Sequence, residues 1–227
     1  MRKAADPRVV ACLATLVFVL SSACAVNPPG ISSESHRLIV MADGPNGARS
    51  ERLSIFLAVS DKDGLSDLDR LFILHDESEL SWTLTPDTWQ VREEGSRISV
   101  GSNGLSPPSG NALPRGRYRA LLYDLAGERA DYTFTVSAPN TADYALPSLS
   151  LDRNTVRIDS PYPTNTAFFL DSGGNVTRTV AVKPGSIDLD TLWGDGAWRS
   201  DADYLAVYGL DPGSELGLFS WKIRLPD

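Results

Sequence analysis

The chain has 227 residues, 42% hydrophobic and 22% charged, with a formal net charge of −8 and a pI of about 4.8. This length accommodates one large or two small cored domains. The acidic balance argues against nucleic acid as a partner and against direct docking on anionic lipid headgroups, and two cysteines are too few for a disulfide framework.

Arg2, Lys3 and Arg8 make a positive N-terminus, and residues 9–20 (VVACLATLVFVL) then run without a charge. An apolar run of this length suits a signal-peptide core but is short for a membrane-spanning helix, which needs roughly 20 residues. Small residues Ser21, Ser22 and Ala23 precede Cys24, and Pro28, Pro29 and Gly30 stop any continuing helix. Cleavage before Cys24 removes Cys12 with the leader, so Cys24 is the one thiol left in the mature chain. A lone exposed thiol is a liability outside the cell unless something occupies the sulfur.

The stretch Leu20, Ser21, Ser22, Ala23, Cys24 resembles the lipobox of bacterial lipoproteins, with the aliphatic residue four places before the cysteine rather than the usual three. The resemblance implies a signal peptide over residues 1–23, a diacylglyceryl group on the Cys24 thiol, and a freed Cys24 amine that is often acylated (palmitate) as well. Each buried methylene contributes about 0.8 kcal/mol, and two or three acyl chains on one residue satisfy the multiple signals that stable anchoring needs. Ala25 follows the cysteine, where an Asp would hold some Gram-negative lipoproteins in the inner membrane. The expected address is therefore the outer membrane of the cell envelope, facing the periplasm or the surface. Soluble secretion and an uncleaved N-terminal anchor are the alternatives.

The mature chain would have 204 residues, 227 minus 23, and loss of three cations and Asp6 takes its charge from −8 to −10. Residues 24–36 are expected to form a tether. Beyond it, alternation dominates. Leu53, Ile55, Leu57 and Val59 share one face of a period-two segment, as do Leu80, Trp82 and Leu84, then Tyr132, Phe134 and Val136, and later Phe219, Trp221, Ile223 and Leu225. Residues 71–74 (LFIL) and 167–170 (AFFL) are short continuous apolar runs suited to central strands. Asp63-Gly64, Ala126-Gly127, Gly173-Gly174-Asn175 and Pro212-Gly213 punctuate these segments as turns. No helical periodicity persists for three turns, so the chain reads as all-β.

Residues 138–147 (APNTADYALP) read as a linker between segments 37–137 and 148–227. The two sides resemble each other faintly. Tyr132, Phe134 and Val136 match Phe219, Trp221 and Ile223 at an offset of 87, Tyr118 matches Tyr204 at 86, and Leu80 and Leu84 match Val176 and Val180 at 96. Each side has the size of an immunoglobulin-like β-sandwich. Leu113, Pro114, Arg115, Gly116, Arg117 and Tyr118, followed by Tyr123, Asp124, Leu125, Ala126 and Gly127, resemble the last hairpin of bacterial Ig-like or fibronectin-III-like modules. The resemblance implies two tandem Ig-like β-sandwich domains. One larger β-sandwich or barrel is the competing architecture.

Three local patterns invite a functional reading. Residues 61–69 (DKDGLSDLD) place Asp61, Asp63 and Asp67 around a glycine turn, but the spacing departs from a calcium-binding EF-hand loop, and a solvated turn is the better reading. Trp193 and Trp198 flank a polar loop; exposed, they would stack on sugars, while buried they would cover one end of a sandwich core. The mature chain has only His36 and His75, with no nucleophile elbow, metalloprotease helix or phosphate-cradling loop. No catalytic residue, metal ligand or cofactor is assigned, and the chain is not expected to be an enzyme. The expectation is a lipid-anchored envelope protein, held to the membrane through lipid on Cys24. It would act as a binding or structural module for another envelope protein or a host surface. A carbohydrate-binding module is the alternative, and a hydrolase a more distant one.

Overall fold

The computed structural model describes residues 27–44, 48–108, 112–137, 139–194 and 198–226. The signal segment 1–23 and the lipidation residue Cys24 lie outside the described residues. Eight strands make the first half: β1 (Gly30–Ala42), β2 (Arg49–Ser60), β3 (Leu68–His75), β4 (Leu80–Leu84), β5 (Gln90–Glu94), β6 (Arg97–Leu105), β7 (Gly116–Asp124) and β8 (Arg129–Val136). The second half holds β9 (Ser148–Asp152), β10 (Thr155–Asp159), β11 (Thr164–Leu170), β12 (Val176–Val182) and β13 (Gly185–Asp188). These are followed by two short helices, α1 (Leu189–Trp193) and α2 (Trp198–Asp201), and then β14 (Tyr204–Asp211), β15 (Leu216–Phe219) and β16 (Ile223–Arg224).

In unit 1 the order β1-β2-β6-β5 faces β4-β3-β7-β8. This is the ABED and CFG arrangement of an immunoglobulin-like sandwich, with β4 as an added strand beside β3. Unit 2 repeats it: β13-β10-β9 stands for the first sheet and β12-β11-β14-β15 for the second. The all-β tandem-sandwich architecture expected from the sequence is the one observed. The three sequence offsets fall on equivalent strands, since β4 corresponds to β12, β7 to β14, and β8 to β15 with β16. The apolar runs at 71–74 and 167–170 lie in β3 and β11, each between two neighbours as expected of central strands.

The joint between the units is a strand pairing. β15 runs parallel to β1, pairing Leu38 with Leu216 and Met41 with Phe219, which joins one sheet of each unit into a single nine-stranded sheet. Leu38, Val40, Leu53 and Ile55 of unit 1 share a face with Leu205, Val207, Leu216 and Leu218 of unit 2, and all eight are buried. Both smaller sheets therefore pack on the same side of the large one. The apolar core of unit 1 takes in Tyr162, Leu216 and Leu218 from unit 2, while the second core gathers Phe169, Leu189, Leu192, Trp193, Leu205 and Val207.

Two glycines allow the close fit at this joint. A Cβ on Gly217 would stand 2.4 Å from the Tyr208 ring, and one on Gly209 would stand 2.4 Å from the Tyr162 ring. Residues 139–147 are held rather than loose. Buried Glu51 accepts bonds from Leu113 N (2.8 Å), both Arg115 guanidinium nitrogens (2.9 and 3.1 Å) and Thr141 Oγ1 (2.6 Å). Arg49 donates to the carbonyls of Thr141 and Tyr144. Burial alone would raise the Glu51 pKa, but bonds from Arg115, Thr141 and Leu113 N outweigh it and hold the carboxyl below its ordinary range.

Two expectations need correction. β1 begins at Gly30, so residues 30–36, read as tether, are strand, and His36 sits within the sheet. The alternation from Phe219 to Leu225 is not one strand. Ser220 Oγ accepts the Val207 N–H at 2.9 Å, the side chain taking a bond that a continuing ladder would supply. The chain then turns out at Trp221 (40% exposed) and re-enters at Ile223 and Leu225 against the second core. Residues 189–193 form a short helical turn within the all-β fold: Asp188 caps Asp190 N and Thr191 N, and Gly194 in the left-handed region ends it.

Candidate functional site

Because both smaller sheets pack on one face of the nine-stranded sheet, its opposite face is covered by neither. Strand alternation decides what that face carries. In β1 the inward residues are Leu38 and Val40, so Arg37, Ile39 and Met41 point out; β2 adds Arg52, and β5, at the sheet's edge, adds Arg92. In unit 2 the same parity turns out Phe168 from β11, Tyr208 from β14 and Phe219 from β15. Together they line a groove of about 520 Å³ lying across the joint.

The unit 2 side is an aromatic wall. Phe219 packs against Tyr208 at 4.9 Å and against Phe168 at 5.2 Å between ring centroids, and Phe168 meets Tyr208 edge-on at 6.3 Å. Tyr208 lies over Gly217, which leaves room for it. The unit 1 side is cationic. Arg37 reaches across the joint to donate to Tyr208 Oη at 3.2 Å, while its Nε is buried without a hydrogen-bond partner. Arg92 lies 3.3 Å above the Phe56 ring and donates to Asn103 Oδ1, itself tied to Ser54 and Gln90. Burial, with the nearby Arg37 charge, lowers the Arg92 pKa against the opposing pull of Glu94, yet a guanidinium remains a cation in neutral water. Among the described residues none of these three arginines forms an ion pair with a carboxylate.

His36 shares the inward face of β1 with Leu38 and Val40, lies between Glu34 (3.0 Å) and Glu215 (3.5 Å), and packs its ring on Phe134. His75 is 3% exposed, its ring tilted against Tyr118 at 4.7 Å between centroids; its Nδ1 meets Ser78 Oγ and its Nε2 the carbonyl of Arg115. A backbone carbonyl thus occupies the position a triad carboxylate would take, and the ring is a packed part of the core. Tyr118 donates to Pro114 O at 2.8 Å, four residues upstream at the start of β7. That is the tyrosine corner of immunoglobulin-like sandwiches, and burial pushes the phenol up to about 12, so it stays a donor.

Trp193 is 5% exposed and set edge-on to Phe169 at 4.8 Å, with the Arg178 guanidinium 5.1 Å from its ring. The core of unit 2 has claimed it, which removes it as a sugar-stacking platform. The side chain of Trp198 lies outside the described residues. Asp61 and Asp67 approach each other near the tip of unit 1, while Asp63 is exposed and only donates its N–H to Asp61 Oδ1. A third acid near them, Asp124, is the last residue of β7. Among the described residues, no helix is long and apolar enough to cross a membrane.

The groove left no signal in the sequence because its walls come from seven strands between residues 35 and 219. Outward positions of a strand read as ordinary solvent-facing ones until the sheets are joined.

No protein-family model matches the chain, and no curated protein sequence matches it. Among solved structures it is similar to the BSP domain of a biofilm associated protein, with 14% identity and a TM-score of 0.28 over 87% of this chain and 30% of that one. It is also similar to a tetra-tandem repeat in the extending region of a large adhesion protein, with 16% identity and a TM-score of 0.26 over 86% of this chain and 50% of that one. The chain thus spans at most half the length of these structures. At such TM-scores the fold rests on the sheets themselves.

Proposed function

We propose that the chain is a lipid-anchored cell-envelope protein whose two β-sandwich domains, residues 30–137 and 148–227 joined through 138–147, form a docking module for an acidic segment of a protein partner. Lipid on Cys24 supplies the membrane attachment that a surface of net charge −10 would not provide by itself. The observation that carries the docking role is the groove: Arg37, Arg52 and Arg92 lie beside an aromatic wall on a protein that is otherwise acidic. Aromatic side chains and arginine are the residue types that anchor protein interfaces, and guanidinium groups without carboxylate partners favour an anionic ligand. The outer membrane is the proposed address. With Trp193 in the core, the carbohydrate-binding alternative loses its main motive.

Two measurements on intact cells test the proposal. Metabolic labelling with an alkyne fatty acid should mark the wild-type protein and not the Cys24→Ala variant. A photoreactive residue at position 52 should crosslink to a discrete partner, whereas one at exposed Asp87 should not. The Arg37→Glu/Arg92→Glu variant should lose that crosslink with its circular dichroism unchanged. Equal crosslinking from positions 52 and 87, or crosslinks indifferent to the charge reversal, would overturn the docking role.

A further inference from the structure

The tip of unit 1 brings three carboxylates together from two loops. Asp61 follows β2, Asp67 closes the 3-10 turn Leu65–Asp67, and Asp124 ends β7; one oxygen of each lies within 4.8 Å of the others. The backbone fixes the cluster. Leu125 N donates to Asp67 O, Asp63 N to Asp61 Oδ1 and Glu128 N to Asp124 Oδ1, each at 2.8 Å. Those bonds use one oxygen of Asp61 and one of Asp124. The remaining Oδ2 atoms of both are buried with no hydrogen-bond partner, and Asp124 as a residue is only 1% exposed.

A buried carboxylate oxygen with no donor is costly, and a second such oxygen beside it compounds the cost. Among the described residues no side chain relieves it. Arg70 pairs with Asp69 and Arg129 with Asp131, while Lys62 and Asp63 are exposed. The crowding also registers on Asp67, whose pKa is raised by desolvation and by the charges of Asp61, Asp124 and Asp63.

From this geometry we infer that Asp61, Asp67 and Asp124 form a divalent-cation site selective for calcium. Three hard oxygen donors with no nitrogen or sulfur suit calcium or magnesium and not zinc. Calcium holds oxygens at about 2.3–2.6 Å in a flexible shell, so three carboxylate oxygens that all lie within 4.8 Å of one another can share one ion. Magnesium demands near-ideal octahedral geometry and is usually held by only one or two carboxylates, so three protein carboxylates from separate positions favour calcium. Water would fill the positions the carboxylates leave. The residue pattern at 61–69 hides the site because its most buried ligand stands 57 positions beyond Asp67.

Equilibrium dialysis of the detergent-extracted full-length protein against radioactive calcium, after chelation, tests the assignment. One calcium per chain is expected, displaced by magnesium only at a large excess, with a rise in melting temperature on calcium addition. Asp124→Asn and Asp67→Asn should each weaken binding at least tenfold, while Asp63→Asn should bind as wild type. Asp67 is only half-buried, so its variant keeps the test decisive if Asp124→Asn does not fold. Absence of saturable calcium binding at millimolar concentration, equal preference for magnesium, or unaltered binding by a folded Asp67→Asn variant would overturn the inference.

Discussion

The two sandwiches share a strand order but not a way of closing it. Unit 1 has four strands in each sheet, a tyrosine corner at Tyr118 and a buried carboxylate network around Glu51. Unit 2 has three strands in its first sheet, and α1 contributes Leu189, Leu192 and Trp193 to the core. Its counterpart of Tyr118, Tyr204, makes no such bond among the described residues, and the Lys222 ammonium sits 4.2 Å from its ring. Among the described residues, the first core holds twenty buried apolar residues and the second eleven, and three of the twenty belong to unit 2. A duplicated topology can thus diverge until one copy completes its burial against the other. The pairing of β15 with β1 makes that dependence structural and produces the groove as its consequence.

The largest effects should come from the smaller core. Trp193→Ala should cost about 3–5 kcal/mol, the range for deleting a buried aromatic, and lower the melting temperature of the full chain rather than of unit 2 alone. Differential scanning calorimetry would register this as one shifted transition. A second, separate transition would break the comparison.

Glu51→Gln comes next. Losing the charge leaves Arg115 without its anionic partner, and a destabilisation of about 3 kcal/mol at neutral pH is expected from breaking a largely buried pair. The pH dependence has a definite sign. Glu51 has a folded pKa below its ordinary 4.5, so its stabilisation is complete above about 4.5 and is lost as pH falls through the lower folded value. The wild type should therefore lose stability below that point more steeply than the glutamine variant in urea titrations.

The smallest effect sharpens the contrast between the units. Tyr118→Phe deletes one buried hydrogen bond and should cost about 1 kcal/mol, while Tyr204→Phe should leave stability unchanged. Equal losses would show that unit 2 has a corner of its own.

Much of this architecture was legible before any coordinates. Alternation marked β2, β4 and β8, continuous apolar runs marked β3 and β11, and the offsets of 86, 87 and 96 matched strands that prove equivalent in the topology. The misses share a cause. Residues 30–36 read as tether because Ser32, Ser33, Glu34 and Ser35 lack an apolar face, yet β2 pairs with that stretch along its whole length. The end of β15 was hidden because a serine side chain replaced a backbone partner. The groove was invisible because it is assembled from distant strands, and the three-aspartate cluster was only partly visible because Asp124 comes from the far end of β7. For the same reason Asp63, the nearest acid in sequence, was a weaker candidate than Asp124.

Native-state hydrogen exchange across the joint tests the central claim that the two sandwiches are one welded body. Amides in the paired segments Leu38–Met41 and Leu216–Phe219 should exchange only through global unfolding, with the same free energy as core amides of β7 and β14. Contradiction would be a β15 that exchanges through a low-energy opening while β1 and β2 stay protected. The units would then be hinged, and the groove between them would not be a fixed surface.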